Sequence, residues 1–294
     1  MKHSSLASVS ATRERLAELG LSTKKSLGQH FLIDDGVVGK ILRLAALQPG
    51  SEVLEVGPGI GTLTEALLSE HVQLTAVELD SSLHAGLARH YPSLNLIAGD
   101  ALAPETIASL QNLAPPIMVA NLPYAVAATI ILEYFQVLPS LQTATVMVQR
   151  EVAERIAAQP GSKAYGAYTV KLGLLAKTVE QFGVSPQCFY PPPRVDSAVI
   201  RLERTRPYNE LLATASMLAD AAFFQRRKTI KNSMQAYLEG VGRGTVPCLT
   251  KEWDKEPSPA PQVSELLAAA QIDPTCRGET LSSEEFLNLA HIIS

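Results

Sequence analysis

Four short motifs place glycines or polar side chains directly after apolar runs of the chain. The first is VLEVGPGIG at residues 53–61; the others are centred on Glu78 in TAVELD, Asp100 in IAGD and Asn121 in NLPY. Glycines let the backbone turn sharply and let a ligand approach closely. A carboxylate at Glu78 can accept both hydroxyls of a ribose, and one at Asp100 can accept from an adenine amino group. These residue types therefore predict a site for a nucleoside-containing ligand.

Taken one at a time, the same residues have ordinary explanations. A lone Asp after a strand is usually a helix cap, and the Asn and Pro of NLPY are common turn residues. The glycine spacing, GxGxG, is one step shorter than the GxGxxG of dinucleotide folds. The agreement of four successive strand ends is what favours a binding site over four unrelated turns.

The motifs need strands and helices that bring them to one edge of a sheet. We predict strands at residues 52–56, 73–79, 94–98, 117–120, 144–148 and 195–202, and helices at residues 37–47, 62–69, 82–90, 152–158 and 168–177 and after NLPY. Such alternation predicts an α/β fold with a mostly parallel sheet, in which ligands bind at the carboxyl ends of the strands.

A second, smaller domain is predicted after residue 206. Strand signals vanish there and residues 209–238 have a helical pattern, followed by a polar, Gly- and Pro-containing stretch at residues 241–261. Two further helices follow, the last opening with a Ser282–Glu285 capping box.

Composition narrows the function classes. The net charge is −4, but residues 221–233 carry Arg226, Arg227, Lys228 and Lys231 without an acidic residue, so a local basic patch is hidden by an acidic tail.

Three scattered cysteines without a CxxC argue against a disulfide framework or zinc site, and we expect a cytoplasmic protein without a metal. No apolar targeting segment is visible, and Pro and Asn interrupt the longest uncharged stretch, so no membrane span is expected.

In order and spacing, the four motifs resemble those of the S-adenosylmethionine-dependent adenine N6-methyltransferases of RNA. Three further segments are similar to signatures of the small-subunit (16S) ribosomal RNA adenine N6,N6-dimethyltransferase family: SLGQHFLID at residues 26–34, FYPPPRVDSAVIRL at residues 189–202 and FFQRRKTIKNSM at residues 223–234. The likeness runs from Lys24 to His291. The chain departs from the family in a longer polar segment at residues 241–261, and in His30, where many relatives carry Asn.

The resemblance implies a Rossmann-like S-adenosylmethionine-binding catalytic domain at residues 1–206 and a smaller all-α RNA-docking domain at residues 207–294. It implies an enzyme of ribosome biogenesis that dimethylates N6 of two adjacent adenines in small-subunit ribosomal RNA, within a pre-30S particle, acting as a monomer. The implied cofactor contacts are His30, Leu32, Gly57, Glu78, Asp100 and Asn121. The implied RNA contacts are Arg226, Arg227, Lys228 and Lys231, on a phosphate-facing helix, with Arg194 and Arg201 nearer the catalytic domain.

The chemistry of N6 methylation gives NLPY a role beyond a turn. The adenine amino group is a poor nucleophile because its lone pair is delocalised into the ring, so it needs acceptors that orient it. The side-chain oxygen of Asn121 and the backbone carbonyl of Leu122 are two such acceptors, and Pro123 stiffens the turn that presents them. Tyr124 offers one face to an extruded base and Phe189 the other. The catalytic residues predicted are thus Asn121, Leu122, Tyr124 and Phe189.

Two other functions remain open at this point. A large-subunit (23S) RNA adenine N6-methyltransferase of the macrolide-resistance type shares the fold and the chemistry, although the RRK stretch and SLGQHFLID favour the small-subunit family. A catalytically silent RNA-binding assembly factor would keep the fold, but Glu78, Asp100 and Asn121 are all present.

Overall fold

The computed structural model describes residues 2–21, 30–241 and 263–293. Residues 26–29 of the SLGQHFLID segment and nearly all of the polar stretch 241–261 lie outside the described residues. The described chain divides into two compact units, one formed by Met1–Glu154 with Ala176–Pro207 and the other by Arg155–Leu175 with Tyr208–Ser294.

The first unit is built on a sheet wrapped by helices. Its strands are β1 Phe31–Leu32, β2 Glu52–Val56, β3 Gln73–Glu78, β4 Asn95–Ala98, β5 Ile117–Asn121, β6 Thr143–Gln149, β7 Ala176–Val184, β8 Phe189–Tyr190 and β9 Ser197–Arg204. Its helices are α1 Val9–Glu18, α2 Asp35–Ala45, α3 Thr62–Ser69, α4 Ser81–His90, α5 Pro104–Leu113, α6 Ala127–Val137 and the start of α7 Arg150–Ile156.

The main sheet has the strand order β4-β3-β2-β5-β6-β9-β7. The strands from β4 to β6 are parallel, whereas β9 enters antiparallel between β6 and β7. The central strands are buried on both faces, as parallel strands covered by helices must be. The α/β class and the parallel sheet predicted from the alternation are confirmed. None of the helices in the described ranges combines the length and apolar character needed to cross a bilayer.

The sequence patterns missed strand β7. They predicted a helix over residues 168–177, whereas the chain forms α8 at Ala167–Gly173 and then β7. The register of β7 against β9 shifts between Thr178 and Glu180. This shift disrupts the alternation of apolar and polar side chains that identifies a strand, and it explains why the segment did not stand out.

A helical N-terminal segment, also not anticipated, is fastened to the first unit by carboxylates. The backbone N–H groups of His3 and Ser4 donate to Asp35, and that of Ser5 donates to Glu65 at 2.9 Å. The Arg15 side chain of α1 donates to the carbonyl of Ile60 in the glycine-rich loop. The segment is therefore anchored beside the predicted site.

The second unit is helical in its described part. It contains α8, α9 at Glu210–Phe223, α10 at Ile230–Val241, α11 at Val263–Ala269 and α12 at Ser283–Ile293. Residues 155–175 group with this unit because α8 packs on it: Lys171 pairs with Asp220 of α9 at 2.5 Å, and Ser283 of α12 donates to the carbonyl of Val170. At the start of α12 Ser282 and Glu285 form the capping box that the sequence indicated.

Candidate functional site

The four motifs lie side by side at one edge of the sheet. The strands β4, β3, β2 and β5 are consecutive neighbours, and each delivers its motif at its carboxyl end. Open α/β sheets bind ligands at this edge. The structure therefore brings together the glycine loop, Glu78, Asp100 and Asn121, as the spacing of the motifs implied.

The glycine loop packs closely against NLPY. Gly57 has φ +70°, a backbone conformation that side chains disfavour. A Cβ added there would lie 3.4 Å from the ring of Pro123 and 4.0 Å from the carbonyl oxygen of Asn121. Since these are ordinary van der Waals distances, the positive φ is what favours glycine at position 57, where the loop turns against NLPY.

Glu78 is held rigidly at the end of β3. One carboxylate oxygen accepts from the N–H of Gly59 at 3.0 Å, and the other accepts from the N–H of Asp80 at 2.9 Å. Burial raises the pKa of the carboxyl group, while these two N–H groups act in the opposite direction. Each oxygen still has capacity for a second donor, so the pair can accept from the two hydroxyls of a ribose.

A second buried carboxyl group, Glu55, lies on the neighbouring strand β2. It is 1% exposed and accepts from the Thr64 hydroxyl at 2.7 Å. Burial, together with the nearby charge of Glu78, raises the pKa of Glu55 to about 8. An acidic residue within the apolar run VLEVG is unusual and marks Glu55, but no local pattern indicates that Thr64 is its partner.

Asp100 is exposed, and its carboxylate is oriented by the N–H of Leu102 at 2.9 Å. This is the local turn bond expected of an Asp after a strand, and it occupies one of the two oxygens. The other is left to accept from a ligand amino group.

Asn121 ends β5 with its side chain partly buried. Its amide nitrogen donates to the backbone carbonyl of His30 at 3.3 Å. The amide oxygen is thereby assigned to the opposite direction, where it can act as an acceptor. The N–H of Leu122 donates to the carbonyl of Met147, and the Leu122 side chain is buried in the core. The hydrogen bonds of Asn121 and Leu122 thus hold the start of the NLPY turn in place.

Tyr124 is held on its face and at its tip. Its ring stacks on that of His30 with centroids 5.6 Å apart and an interplanar angle of 25°. Its hydroxyl shares a 2.5 Å hydrogen bond with the Ser197 hydroxyl, and burial raises the pKa of the phenol. His30 is itself bonded to the Pro191 carbonyl at 2.8 Å. His30 thus contacts both NLPY and the FYPPP segment.

Leu32 and Phe189 are core residues in this structure. They pair in the short antiparallel ladder of β1 and β8 and are 3% and 2% exposed. The Phe189 ring therefore presents no open face, and its role in stacking stays a prediction. Tyr190, the next residue, is more exposed; Arg13 donates to its hydroxyl at 3.2 Å and lies over its ring.

The basic residues predicted to bind RNA differ in their surroundings. Arg226, Arg227 and Lys228 lie in the turn between α9 and α10 and not on a helix. The Ser233 hydroxyl accepts from the Gln225 N–H and donates to the Ala221 carbonyl, two groups that a continuing helix would join directly. Only Lys231 is helical.

Two of the predicted phosphate contacts are engaged within the protein. Arg226 pairs with Glu279 at 3.1 Å and donates to the Lys163 carbonyl at 2.7 Å. Arg201, in the first unit, is mostly buried and donates to the Leu44 carbonyl, so a phosphate contact at Arg201 is not supported. Arg227, Lys228 and Arg194 are exposed.

The chain is similar to proteins of one family along most of its length. A family model described as ribosomal RNA adenine dimethylase matches residues 20–245. Among curated proteins, "Ribosomal RNA small subunit methyltransferase A" of Thermobifida fusca is 38% identical over 95% of this chain and 93% of its own length. The protein with the same name from Mycobacterium tuberculosis is 40% identical over 94% of this chain and 84% of its own.

Solved structures share the fold. A dimethyladenosine transferase from Plasmodium falciparum superposes with a TM-score of 0.69 at 24% identity, covering 88% of this chain and 96% of its own. The 23S rRNA methyltransferase ErmE gives a TM-score of 0.60 at 26% identity, covering 90% of this chain and 99% of its own.

Proposed function

Because the chain belongs to the ribosomal RNA adenine dimethylase family, we propose that it dimethylates N6 of two adjacent adenines in small-subunit ribosomal RNA. The methyl donor is S-adenosylmethionine, and the substrate is an assembling small subunit. The observation that carries the proposal is the arrangement of Asn121, whose amide nitrogen is fixed on the His30 carbonyl so that its oxygen is free to accept.

The residues at the sheet edge fit the proposed cofactor. Gly57, at φ +70°, lets the backbone turn sharply beside NLPY and lets a ligand approach closely, Glu78 offers acceptors for two ribose hydroxyls, and Asp100 keeps an acceptor for the adenine amino group. When bound, the cofactor supplies an electrophilic methyl group on a sulfonium. His30 and Leu32 belong to this proposed contact set because they lie on the segment that reaches Asn121 and the Phe189 ladder.

The protein's own contribution is orientation. The Asn121 oxygen and the Leu122 carbonyl accept the two amino hydrogens of the target adenine and turn its lone pair towards the methyl group. One face of Tyr124 is covered by His30, so the base stacks on the other face. Holding reactants in this geometry accounts for large rate effects without covalent catalysis, and the proton is lost to solvent after transfer.

The chief alternative, methylation of large-subunit RNA, is supported by the likeness to ErmE. The relatives at 38% and 40% identity, however, carry small-subunit names, whereas ErmE is 26% identical. The small-subunit reaction is therefore the one we propose. A silent assembly factor is disfavoured by the intact arrangement of Glu78 and Asn121.

Mass spectrometry of ribosomal RNA tests the proposal. Cells lacking the gene should lose dimethyladenosine from small-subunit RNA only, and a plasmid copy should restore it. Purified protein and labelled S-adenosylmethionine should label undermethylated small subunits and leave large subunits unlabelled. Label in large-subunit RNA would support the alternative, and no label in either would support the silent assembly factor.

A further inference from the structure

Helix α1 contacts the glycine loop through two neighbouring residues. Leu16 belongs to the same small apolar cluster as Ile60 of the loop, and Ile60 is 2% exposed. The Arg15 side chain is only 16% exposed and donates to the Ile60 carbonyl at 3.4 Å. Because a largely buried cation needs hydrogen-bond acceptors, this contact holds the loop carbonyl in a fixed place relative to α1.

The contact at Ile60 bears on the cofactor half of the site, which the glycine loop and Glu78 form. Gly59, directly before Ile60, has φ +61°, and its N–H donates to Glu78 at 3.0 Å. Glycine has more backbone freedom than any other residue, so the loop depends on outside contacts for its shape. A displaced Ile60 carbonyl would shift the neighbouring Gly59 N–H and, with it, the proposed ribose acceptor.

The same helix reaches the target half of the site, which NLPY, His30 and the FYPPP segment form. Arg13 donates to the Tyr190 hydroxyl at 3.2 Å, and its guanidinium lies 5.0 Å from the centroid of the ring. The residue after Tyr190, Pro191, is bonded through its carbonyl to His30, and His30 stacks on Tyr124. Arg13 is therefore at one end of a row of contacts that leads to the proposed stacking ring.

The N-terminal segment lies close enough to its neighbours to support both halves. A Cβ added at Gly86 of α4 would lie 2.6 Å from the Leu19 side chain, and one added at Gly39 of α2 would lie 2.5 Å from the His3 ring. Distances this short leave no gap between the segment and these two helices. A shift of α1 would therefore break contacts with α4 and with the site together.

We propose that α1 positions the two halves of the site relative to each other, with Arg15 holding the glycine loop for the cofactor and Arg13 holding the FYPPP segment for the target adenine. The inference rests on the proposed function. Each arginine acts through another residue, Ile60 or Tyr190, so both are positioning residues. Methyl transfer requires the amino nitrogen and the methyl group to meet in a defined geometry, and one helix that carries both contacts fixes that relation.

Calorimetry with S-adenosylmethionine tests the cofactor half. Arg15→Met keeps the apolar stem of the side chain but removes the donor to the Ile60 carbonyl, and it should weaken cofactor binding about tenfold. Arg15→Lys retains a charged donor and should recover most of the affinity. Glu14→Gln, at an exposed position of the same helix, is the matched control and should bind the cofactor as wild type does.

Steady-state methylation of undermethylated small subunits tests the target half. Arg13→Met should lower kcat/KM for the subunit about threefold, because an exposed cation–π contact is weak, and should leave the calorimetric affinity for S-adenosylmethionine unchanged. Arg15→Met should show the opposite split, with KM raised for S-adenosylmethionine and not for the subunit. A role in stability alone would lower the unfolding temperature and leave both KM values as in wild type.

A double variant shows whether Arg13 acts through Tyr190 or touches the RNA itself. Tyr190→Phe removes the hydroxyl that accepts from Arg13. If Arg13 acts through that hydroxyl, Arg13→Met/Tyr190→Phe should lose less kcat/KM than the two single losses combined. Fully additive losses would mean a direct RNA contact and would overturn the role assigned to Arg13.

Wild-type cofactor affinity in Arg15→Met would overturn the proposal for the glycine loop, as would an affinity that Arg15→Lys does not recover. Thermal unfolding of each variant without ligand separates a lost affinity from a lost fold. Failure of the proposed function gives a different result, because the wild-type protein itself would then leave undermethylated small subunits unmethylated.

Discussion

At the scale of single residues, Asn121 shows how one amide can be divided between structure and chemistry. Its nitrogen is committed to the His30 carbonyl, and its oxygen is the proposed acceptor. Asn121→Ala should therefore lower the single-turnover rate on undermethylated small subunits roughly a hundredfold, with S-adenosylmethionine affinity changed far less. Asn95→Ala, which removes an exposed amide bonded to Thr75, is the matched control. A native rate for Asn121→Ala would reduce NLPY to a turn.

Glu78 has a structural bond to the glycine loop as well as its proposed ribose contact. Glu78→Ala removes the acceptor of the Gly59 N–H and should weaken S-adenosylmethionine binding at least tenfold, because a buried carboxylate with two hydroxyl partners is lost. Isothermal calorimetry measures the change. Asp80→Ala, at the half-buried neighbouring helix cap, should bind the cofactor nearly as wild type because the backbone N–H that donates to Glu78 is kept. Unaltered affinity in Glu78→Ala would remove Glu78 from the ribose.

The stacking proposed for Tyr124 uses only the aromatic ring, which Phe would also provide. The 2.5 Å hydrogen bond to Ser197 gives the Tyr124 hydroxyl a separate structural role, because Ser197 is 0% exposed. Tyr124→Phe leaves a buried hydroxyl without this partner and should lower the free energy of unfolding by about 1–3 kcal/mol. Tyr124→Phe/Ser197→Ala should lose less than the sum of the single changes in urea unfolding; additive losses would contradict the bond.

At the scale of elements, strand β2 carries Glu55 into the core, and this makes stability depend on pH. The pKa of Glu55 is raised by burial from 4.5 to about 8. Between those values the folded protein holds a proton that the unfolded chain has released. The free energy of unfolding therefore falls as pH rises from about 4.5 to about 8, and this contribution is constant outside that window.

Replacing Glu55 by Gln removes this titration. The loss of unfolding free energy between pH 5 and pH 8 should be smaller in Glu55→Gln than in wild type, by an amount on the order of a few kcal/mol. Urea unfolding at the two pH values measures it. Glu52→Gln, at the exposed start of the same strand, should leave the pH dependence as in wild type, and so would Glu55→Gln if the group were ionised in the folded state.

Local patterns predicted the central elements better than the edges. Helix α3 begins and ends where the sequence placed it, and β2 matches its predicted strand, because glycines and periodic apolar residues mark those boundaries. Strand β7 was missed because its register shift breaks the period of two. Helix α1 was missed because its apolar face is narrow: Leu16 is its buried apolar residue.

At the scale of the whole molecule, the basic turn between α9 and α10 is the predicted RNA contact of the second unit. Arg227 and Lys228 are exposed, whereas Arg226 is paired with Glu279. Changing Arg227 and Lys228 to Ala should reduce the salt dependence of RNA binding by about 0.7–0.9 in log–log slope per residue. Filter binding over a range of KCl concentrations measures the slope, and Lys177→Ala on β7 is the control.

Arg226 should behave differently from its two neighbours. Its pair with Glu279 and its bond to the Lys163 carbonyl hold separate segments of the second unit together. Arg226→Ala should therefore lower the unfolding temperature, whereas the Arg227 and Lys228 changes leave it near wild type.

For the RNA-binding test, the contrary outcome is a salt dependence of RNA binding in Arg227→Ala/Lys228→Ala that equals the wild-type value. The turn would then be an ordinary solvated surface.

The sequence predicts where the site lies in the sheet, but it does not predict the side-chain contacts that hold the site together. The α/β class, the sheet edge and the strand-end residues follow from periodicity and motif order. The Tyr124–Ser197 bond, the His30–Tyr124 stack and the grouping of residues 155–175 with the second unit do not. These contacts join segments far apart in the chain, and no local pattern records which distant side chain will meet another.

The insertion of β9 between β6 and β7 has a consequence for how the protein is made. During translation β6 emerges without its antiparallel neighbour, which is supplied only by residues 197–204. His30 can form its hydrogen bonds only after Asn121, 91 residues later in the chain, and Pro191, 161 residues later, have been synthesised. Such long-range closure slows folding. The nascent chain thus remains without a complete pocket until residues 197–204 have been synthesised, long after the glycine loop and NLPY have emerged.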